Sequence, residues 1–294
     1  MSTPRLSNAV ALRPEIAEDS TIKVIGLGGV GSIAARYAAI FLASLQRRLR
    51  LVLVDGDAFE PANASRMLFP TCGNKAAVVC DELLEHFTDS LLAVVAVEEY
   101  VTPDNIERLI QPGDSVLLAV DNHATRKLVD DFCAKHRDDV CLISGGNDGI
   151  EPTPAGNRNR GTFGNVQIFV RRGGKNLTPP LSAFHPEIAN PAGKLPTELN
   201  CTELVASSPQ ILFANLLTAS SMLNALWLYL CGHLHYSEAV FDIGEALMRP
   251  VETCDPVGSP AHVTKAGNRK GPNSQKAGGR DGRAKKKRLS AAGA

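Results

Sequence analysis

The chain has 294 residues, of which 44% are apolar and 21% charged, as in a soluble globular protein with room for one large α/β domain or two small ones. The net charge is zero, but residues 265–294 carry ten Lys or Arg and one Asp, so the rest of the chain has an excess of nine acids. The N-terminus has no long apolar run and contains acids early, which argues against a secretory signal.

The cysteines indicate a reducing compartment. There are seven of them, and their odd number, the length of the chain and the absence of a signal predict free thiols in a cytoplasmic protein. None forms a C-x-x-C pair, so no zinc site is expected. The cysteines are Cys72, Cys80, Cys133, Cys141, Cys201, Cys231 and Cys254.

In the first half of the chain, short apolar strands alternate with helices after an N-terminal arm at residues 1–20. The predicted strands are TIKVIG, RLVLVD, DSVLLAVD and VCLISGG, and a further strand is expected within LLAVVAVEEYV. The predicted helices are the stretch after the first strand up to about Gln46, AAVVCDELLEHF, DNIERLIQ and ATRKLVDDFCAKH. Because most of these strands are apolar throughout, we predict a Rossmann-like α/β fold, with a mainly parallel sheet and helices on both faces.

The pattern changes after Gly146. GNVQIFVRR is predicted to continue the sheet, and residues 172–206, rich in Pro, Gly, Asn and Thr, to form a long crossover loop. A buried apolar helix is expected at about Pro209 to Leu230, because its polar residues would be costly in a membrane. AVFDIGEALMRPVE is expected to be a last strand or hairpin. We therefore assign one domain to residues 21–254 and a disordered basic tail to residues 255–294.

A glycine-rich turn follows the first predicted strand and opens a helix. It contains Gly26, Gly28 and Gly31 in the spacing G-x-G-x-x-G, with an additional Gly29. Such glycines permit a tight turn and let backbone N–H groups approach an anion at the helix N-terminus. The turn therefore predicts a nucleotide site, but it does not choose the nucleotide.

Asp55 ends the second strand, somewhat more than twenty residues after the glycines. A carboxylate at this position accepts hydrogen bonds from ribose hydroxyls. Both NAD and ATP carry that ribose, so Asp55 does not choose between them.

Polar residues further along favour a triphosphate. The run DGDAFEPANASRMLFPTCGNK places Asp57, Asn63, Arg66 and Lys75 in one loop and helix start. A hydride-transfer enzyme has little use for the cations Arg66 and Lys75. The β- and γ-phosphates of ATP, by contrast, need such cations together with an amide donor. Asp121 ends another strand, where it could hold Mg²⁺.

These pieces together resemble the superfamily of ThiF, MoeB and the ubiquitin-activating enzymes. The matching stretches are GLGGVGS, DGDAFEPANASR, GNKA, AVDNHATR and GNVQIFV. The resemblance covers roughly residues 20–170 well and 195–250 more loosely. It implies that the chain binds Mg·ATP and the C-terminal glycine carboxylate of a ubiquitin-fold protein, forms an acyl-adenylate and releases pyrophosphate.

The resemblance also implies a role for each matching residue. Asp55 would bind the ribose, and Asp57 would sit close to the nucleotide. Asp121 would bind the metal ion. The phosphates would be bound by Asn63, Arg66 and Lys75.

In relatives that form a thioester, a cysteine lies in the crossover loop before the long helix. Here Cys201, followed by Thr202, lies in that loop, shortly before a predicted helix N-terminus that would favour a thiolate. We expect Cys201 to be the thioester candidate and Cys133, Cys141 and Cys231 to be core or boundary residues. A homodimer is expected from the resemblance alone.

Other functions remain open at the level of sequence. The substrate could instead be a peptide or a carbonyl on modified tRNA, activated without a thioester. An NAD-dependent oxidoreductase is disfavoured by Arg66, Lys75 and Asp121, and a non-catalytic nucleotide-binding scaffold by the intact polar set. The basic tail could bind nucleic acid by charge, but we prefer a solubilising role.

Overall fold

A computed structural model describes residues 12–64, 67–150, 159–199 and 209–258. The strands are β1 (Thr21–Ile25), β2 (Leu49–Val54), β3 (Ala58–Phe59), β4 (Gly73–Asn74), β5 (Leu92–Val97), β6 (Ser115–Leu118), β7 (Val140–Asn147), β8 (Phe163–Arg172), β9 (Lys175–Asn176), β10 (Leu234–Asp242) and β11 (Leu247–Val257). The helices are α1 (Gly31–Ser44), α2 (Lys75–His86), α3 (Ile106–Leu109), α4 (His123–His136), α5 (Pro186–Ala189) and α6 (Leu212–Leu230).

The main sheet has the order β11-β10-β8-β7-β6-β1-β2-β5. Strands β5, β2, β1, β6 and β7 are parallel, and β8, β10 and β11 extend this sheet in antiparallel fashion. The chain leaves β1 towards one side of the sheet and β6 towards the other, so a crevice forms between their carboxyl ends. The predicted Rossmann-like, mainly parallel fold is confirmed, as is the strand that continues it.

Helices cover both faces of the sheet, as predicted. One apolar cluster joins α1, α2 and α6 to the sheet, through residues such as Leu42, Leu83 and Leu226. A second cluster joins α3, α4 and α5 to the opposite face, through residues such as Ile106 and Val129. The central parallel strands β1, β6 and β7 are therefore buried on both faces, which explains why they are largely apolar, whereas the edge strand β5 alternates between buried and exposed residues.

Helix α6 confirms the prediction of a buried helix but starts at Leu212, later than the expected Pro209. Its inward side carries the buried polar residues Asn215, Thr218 and Ser221 among small apolar ones. None of the helices in the described ranges is long and apolar enough to cross a membrane.

The crossover segment contains more structure than the long loop expected at residues 172–206. It holds β9, α5 and 3₁₀ turns at Leu181–Ala183 and Pro196–Glu198. The carboxylate of buried Asp130 on α4 fixes this segment by accepting hydrogen bonds from the N–H groups of Leu181 (2.8 Å) and Ser182 (3.0 Å). Because Asp130 lies 51 residues before Leu181 in the sequence, no local sequence pattern could predict this contact.

The last predicted element is a hairpin, with β10 pairing antiparallel to β11. Strand β11 continues to Val257, three residues beyond residue 254, where the domain was predicted to end. The remainder of the basic tail, residues 259–294, lies outside the described residues.

A buried ion pair closes the end of the sheet opposite the crevice. Lys23 on β1 and Asp114 before β6 have side chains only 7% and 6% exposed, with Nζ and Oδ2 2.8 Å apart. Lys23 Nζ also donates to the carbonyl of Leu109 (2.5 Å), and Asp114 accepts the N–H of Gln111 (2.6 Å). Because water reaches neither side chain freely, each charge is stabilised mainly by the other one and by these hydrogen bonds.

Removing one partner of this pair should destabilise the fold strongly. We expect Asp114→Asn to lower the free energy of unfolding by about 3–5 kcal/mol, because Lys23 is left charged and buried without a counterion. Urea unfolding measures this. The double variant Lys23→Met/Asp114→Leu should recover most of the loss, and a double variant as unstable as the single one would contradict this account.

Candidate functional site

The turn from β1 into α1 contains the four predicted glycines, and close backbone contacts account for two of them. Gly26 has a φ of +87°, and a Cβ on it would lie 2.9 Å from the backbone of Ala119. A Cβ on Gly31 would lie 1.7 Å from the carbonyl oxygen of Gly26. At Gly28, by contrast, a Cβ would meet only Cε of Met67, at 3.8 Å. The turn therefore needs glycine at 26 and 31 for its shape and leaves open space beside residue 28.

This turn presents unpaired backbone donors. The N–H of Leu27 donates to Oδ2 of Asp55 (2.5 Å). Those of Gly28, Gly29 and Val30 donate to no acceptor in the described part of the chain. Helix α1 starts here with no side-chain cap and no acidic residue in its first turn. Free N–H groups at the positive end of a helix favour an anionic ligand.

Asp55 directly follows β2 and is fixed beside this turn. Its carboxylate accepts the N–H groups of Leu27 (2.5 Å) and Asp57 (2.8 Å), and its own carbonyl accepts Nδ2 of Asn74 (2.9 Å). Burial raises the pKa of Asp55, and Lys75 and the two N–H groups oppose that rise. Asp55 thus lies at the end of β2 next to the glycines, the position predicted for the residue that binds the ribose of the nucleotide.

Lys75, Asp57 and Tyr100 form one hydrogen-bonded group. Lys75 is the first residue of α2 and is only 7% exposed, and its Nζ lies 2.9 Å from Oδ2 of Asp57. The hydroxyl of Tyr100 donates to the other carboxylate oxygen, at 2.5 Å. Partial burial opposes ionisation of Asp57, but these hydrogen bonds from Tyr100 and Lys75 hold its pKa below the ordinary value. The predicted phosphate-binding ammonium group is therefore already paired with a carboxylate.

Two of the predicted phosphate ligands lie in the loop between β3 and β4. Asn63 ends the 3₁₀ turn Pro61–Asn63, and its Oδ1 accepts the N–H of Glu60 (3.2 Å). Its Nδ2 donates to no acceptor among the described residues, so this amide can serve a ligand. Arg66 lies outside the described residues, and its role stays a prediction.

Arg36 on α1 holds the far side of this loop. Its guanidinium donates to both carboxylate oxygens of Glu82, at 2.8 and 2.7 Å, and to the carbonyl of Leu68, at 2.6 Å. It also lies over the ring of Phe69, which stacks on Phe59 with ring centroids 4.7 Å apart. Arg36 thus positions the residues that flank Arg66.

Asp121 lies three residues beyond β6, the neighbour of β1, so it approaches the crevice from the adjacent strand. Its side chain is exposed and forms no hydrogen bond within the described ranges. Buried Arg126 orders the preceding backbone by donating to the carbonyls of Val120 (2.7 Å) and Gly145 (2.8 Å). A free carboxylate fits Mg²⁺, which needs only one or two protein carboxylates when phosphates and water complete its shell.

The described residues contain no group of three or more His, Cys, Asp or Glu side chains arranged to hold a metal ion. Any Mg²⁺ at Asp121 would therefore take most of its ligands from a bound phosphate and from water.

The thiols divide into those inside and outside the core. Cys133 and Cys141 are fully buried, and desolvation raises the pKa of each, that of Cys133 to about 12. Cys231 is also buried, and desolvation raises its pKa, which confirms the three as core or boundary residues. Cys72 is exposed. Cys201 lies outside the described residues, so the structure does not test the thioester role.

The sequence prediction missed three residues of this site. Tyr100 follows β5 in the segment EEYV, and the rule that ligands bind beyond strand ends could have singled it out. Asn74 caps α2 by accepting the N–H of Ala76 (2.8 Å) and of Ala77 (3.1 Å), a role that its place before a predicted helix could have suggested. Arg36 carries no local signal, because Leu68 and Glu82 are distant in sequence.

Two cavities of the described chain lie away from these residues. One of about 330 Å³ lies between α3 and α4, beside Phe132, and one of about 390 Å³ lies at the opposite end of the sheet, beside Lys23. Neither is lined by a predicted site residue.

The fold and the site together define a Rossmann-like α/β protein whose glycine turn, carboxylates and lysine meet at the carboxyl edge of the parallel strands. The chain belongs to the ThiF family, whose model matches residues 13–237.

Several curated proteins are similar in sequence. HesA of Leptolyngbya boryana is 31% identical over 134 residues, covering 45% of this chain and 46% of HesA. The tRNA threonylcarbamoyladenosine dehydratase of Escherichia coli is 27% identical over 51% of this chain and 55% of its own. The SAMP-activating enzyme E1 of Haloferax volcanii is 31% identical over 39% and 41%. The matches thus span about half the length of these relatives.

Solved structures share the fold. The crystal structure of Escherichia coli MccB with ATP superposes with a TM-score of 0.57 at 14% identity, covering 83% of this chain and 65% of MccB. The complex of MccB with N-formylated MccA gives the same TM-score at 15% identity. At such identities the likeness concerns the fold alone.

The two kinds of glycine in the turn should respond differently to substitution. Gly31→Ala should cost at least about 2–3 kcal/mol of unfolding free energy, because its Cβ would overlap a backbone carbonyl. Gly28→Ala should stay within about 1 kcal/mol of the wild type and yet weaken binding of Mg·ATP, because the methyl group enters the open space. Thermal unfolding and calorimetric titration measure the two effects. Unchanged ATP affinity in Gly28→Ala would place the phosphates elsewhere.

Proposed function

We propose that this chain is an ATP-dependent adenylyltransferase that activates a carboxylate as an acyl-adenylate. The observation that carries the proposal is the ring of groups around the unpaired N–H donors of the glycine turn. Asp55 and Lys75 lie on the β2 side, and the free carboxylate of Asp121 lies on the β6 side. Membership of the ThiF family and the names of relatives such as the SAMP-activating enzyme support this assignment.

In the proposed reaction an oxygen of the substrate carboxylate attacks the α-phosphorus of ATP. The bond from that phosphorus to the bridging oxygen breaks, and pyrophosphate leaves with the electron pair. The carboxylate is already ionised at neutral pH, so no general base is needed. The barrier arises mainly from bringing two anions together, and fixed donors and cations lower it.

The chain's own residues would divide this work. Asp55 would accept hydrogen bonds from the ribose hydroxyls, and the N–H groups of the glycine turn would donate hydrogen bonds to phosphate oxygens. Asn63, Arg66 and Lys75 would donate to the phosphates. Asp121 would hold Mg²⁺, which supplies charge neutralisation to the phosphate oxygens when bound.

The pairing of Lys75 with Asp57 is compatible with phosphate binding. An ammonium group has three N–H donors, and Asp57 uses one of them. The carboxylate then aims the ammonium group, while the remaining donors face the nucleotide. Tyr100 keeps Asp57 in place from its other oxygen.

We propose the C-terminal glycine of a ubiquitin-like protein as the carboxylate, with a thioester on Cys201 as a following step. A homodimer, a cytoplasmic location and residues 21–254 as one adenylation domain belong to the same proposal.

A second candidate is adenylation of a peptide or of modified tRNA without a thioester. A similarity to a tRNA dehydratase and the basic segment at residues 265–294 favour it. The cation at Lys75 argues against an NAD-dependent oxidoreductase.

Exchange of labelled pyrophosphate into ATP tests the reaction. We expect exchange that depends on a substrate carboxylate, with three probes compared: a ubiquitin-fold protein ending in Gly-Gly, a peptide with a free C-terminus, and tRNA carrying threonylcarbamoyladenosine. Lys75→Met should lower the exchange rate about 10²- to 10³-fold through lost electrostatic stabilisation.

Lys127→Met serves as the control for this test, because Lys127 is a partly exposed helical lysine paired only with Asp131. It should leave exchange unchanged. Equal exchange in both variants would remove Lys75 from the mechanism. Reduction of NAD in place of pyrophosphate exchange would overturn the proposed function.

The thioester step can be separated from adenylation. Cys201→Ala should retain pyrophosphate exchange and lose a thiol-reducible adduct with the ubiquitin-like substrate, because adenylation precedes transfer to sulfur. Non-reducing electrophoresis detects the adduct. Cys72→Ala, which removes an exposed thiol, should keep it. An adduct that persists in Cys201→Ala would exclude this cysteine.

A further inference from the structure

Asn215 in the first turn of α6 has an unusual environment. Its side chain is fully buried, and neither its Oδ1 nor its Nδ2 has a hydrogen-bond partner. Among the buried side chains of the described ranges, it is the one with two unpaired polar atoms. Such a group loses its hydrogen bonds to water and gains none from the protein in exchange, so its burial calls for an explanation such as a bound water, ion or ligand.

The unpaired amide lies against the glycine turn. A Cβ added to Gly29 would be 2.3 Å from Nδ2 of Asn215 and 3.4 Å from Oε1 of Gln210. Only glycine at position 29 therefore allows the start of α6 to approach the turn so closely. No side chain at residue 29 separates the amide of Asn215 from the backbone of the turn.

Two helix N-termini converge at this point. Helix α1 has 14 residues and α6 has 19, and neither has a side-chain cap or an acidic residue in its first turn. The positive ends of both helix dipoles are therefore not neutralised by their own side chains. The unpaired N–H groups of Gly28, Gly29 and Val30 lie in the same turn. Donors from two directions thus surround Gly29, and carboxylates from neither helix oppose an anion there.

We propose that Asn215 at the start of α6 is a binding residue for a phosphate group of the nucleotide, and that it forms the wall of the site opposite the β2 loop. This rests on the proposed function, since that function supplies the nucleotide. The amide N–H₂ donates to a phosphate oxygen, which gives the buried group the partner that it lacks in this structure.

Calorimetric binding of three probes tests the assignment: Mg·ATP, AMP and inorganic pyrophosphate. Asn215→Leu has a similar volume and no unpaired amide, so it should not lower the melting temperature. It should weaken binding of Mg·ATP about tenfold or more, as expected for a lost hydrogen bond to a charged group. An equal loss of affinity for AMP would place the contact at the α-phosphate. A loss of affinity shared by ATP and pyrophosphate, but not by AMP, would place it at the β- or γ-phosphate.

Two further variants make the result decisive. Thr218→Val removes another buried polar group one turn along α6 and should leave binding of all three probes unchanged. Asn215→Asp keeps the shape and adds a negative charge, so it should also weaken ATP binding, even if the leucine variant fails to fold. Wild-type affinity in Asn215→Asp, or a lower melting temperature of Asn215→Leu with unchanged affinity, would show that Asn215 is structural.

The outcome for the proposed function is read separately, from the wild-type protein. Pyrophosphate binding that depends on Asn215, without ATP or AMP binding, would keep the anion site and reject the nucleotide function. A wild-type protein that binds none of the three probes would overturn both.

Discussion

The contact between Gly31 and the carbonyl of Gly26 determines how the rest of the crevice is built. The chain reverses from β1 into α1 so tightly that no side chain fits at residue 31. This reversal leaves three successive N–H groups at the start of a helix without acceptors among the described residues. Strand β1 lies between β2 and β6, so the turn emerges where side chains from both neighbours can reach it. Asp55 then ties the turn to β2 by accepting the N–H of Leu27.

Charge balance in the crevice follows from this arrangement. Among the described residues, Asp55, Asp57 and Asp121 bring three carboxylates to the β2 and β6 sides, and Lys75 brings one ammonium group, already bound to Asp57. The donors of the glycine turn are uncharged. Binding of a triphosphate therefore requires further positive charge, which Arg66 and a divalent cation at Asp121 would provide under the proposed function. The single positive charge of Lys75 would not balance a bound triphosphate and the three carboxylates.

Buried polar groups at the two ends of the parallel strands have different environments. Away from the crevice, Lys23 and Asp114 satisfy each other and nearby backbone groups. Towards the crevice, the buried side-chain amide of Asn215 has no hydrogen-bond partner in the described part of the chain. The side chain of Asn215 thus leaves hydrogen-bonding capacity unmet beside the glycine turn, where a ligand can meet it.

The sequence by itself determined the Rossmann-like class, the succession of main-sheet strands and helices through β8, and the local elements of the candidate site, but not the short strands β3 and β4. Gly26, Gly31, Asp55 and Lys75 could be found because turn geometry, strand ends and helix starts are short-range properties. The tertiary structure alone decided which distant groups meet. Arg36 holds Leu68, Asp130 anchors the crossover segment, and Asn215 reaches Gly29 across 186 positions of sequence. These contacts depend on how helices pack across the sheet, and side-chain packing leaves no periodic signal in the chain.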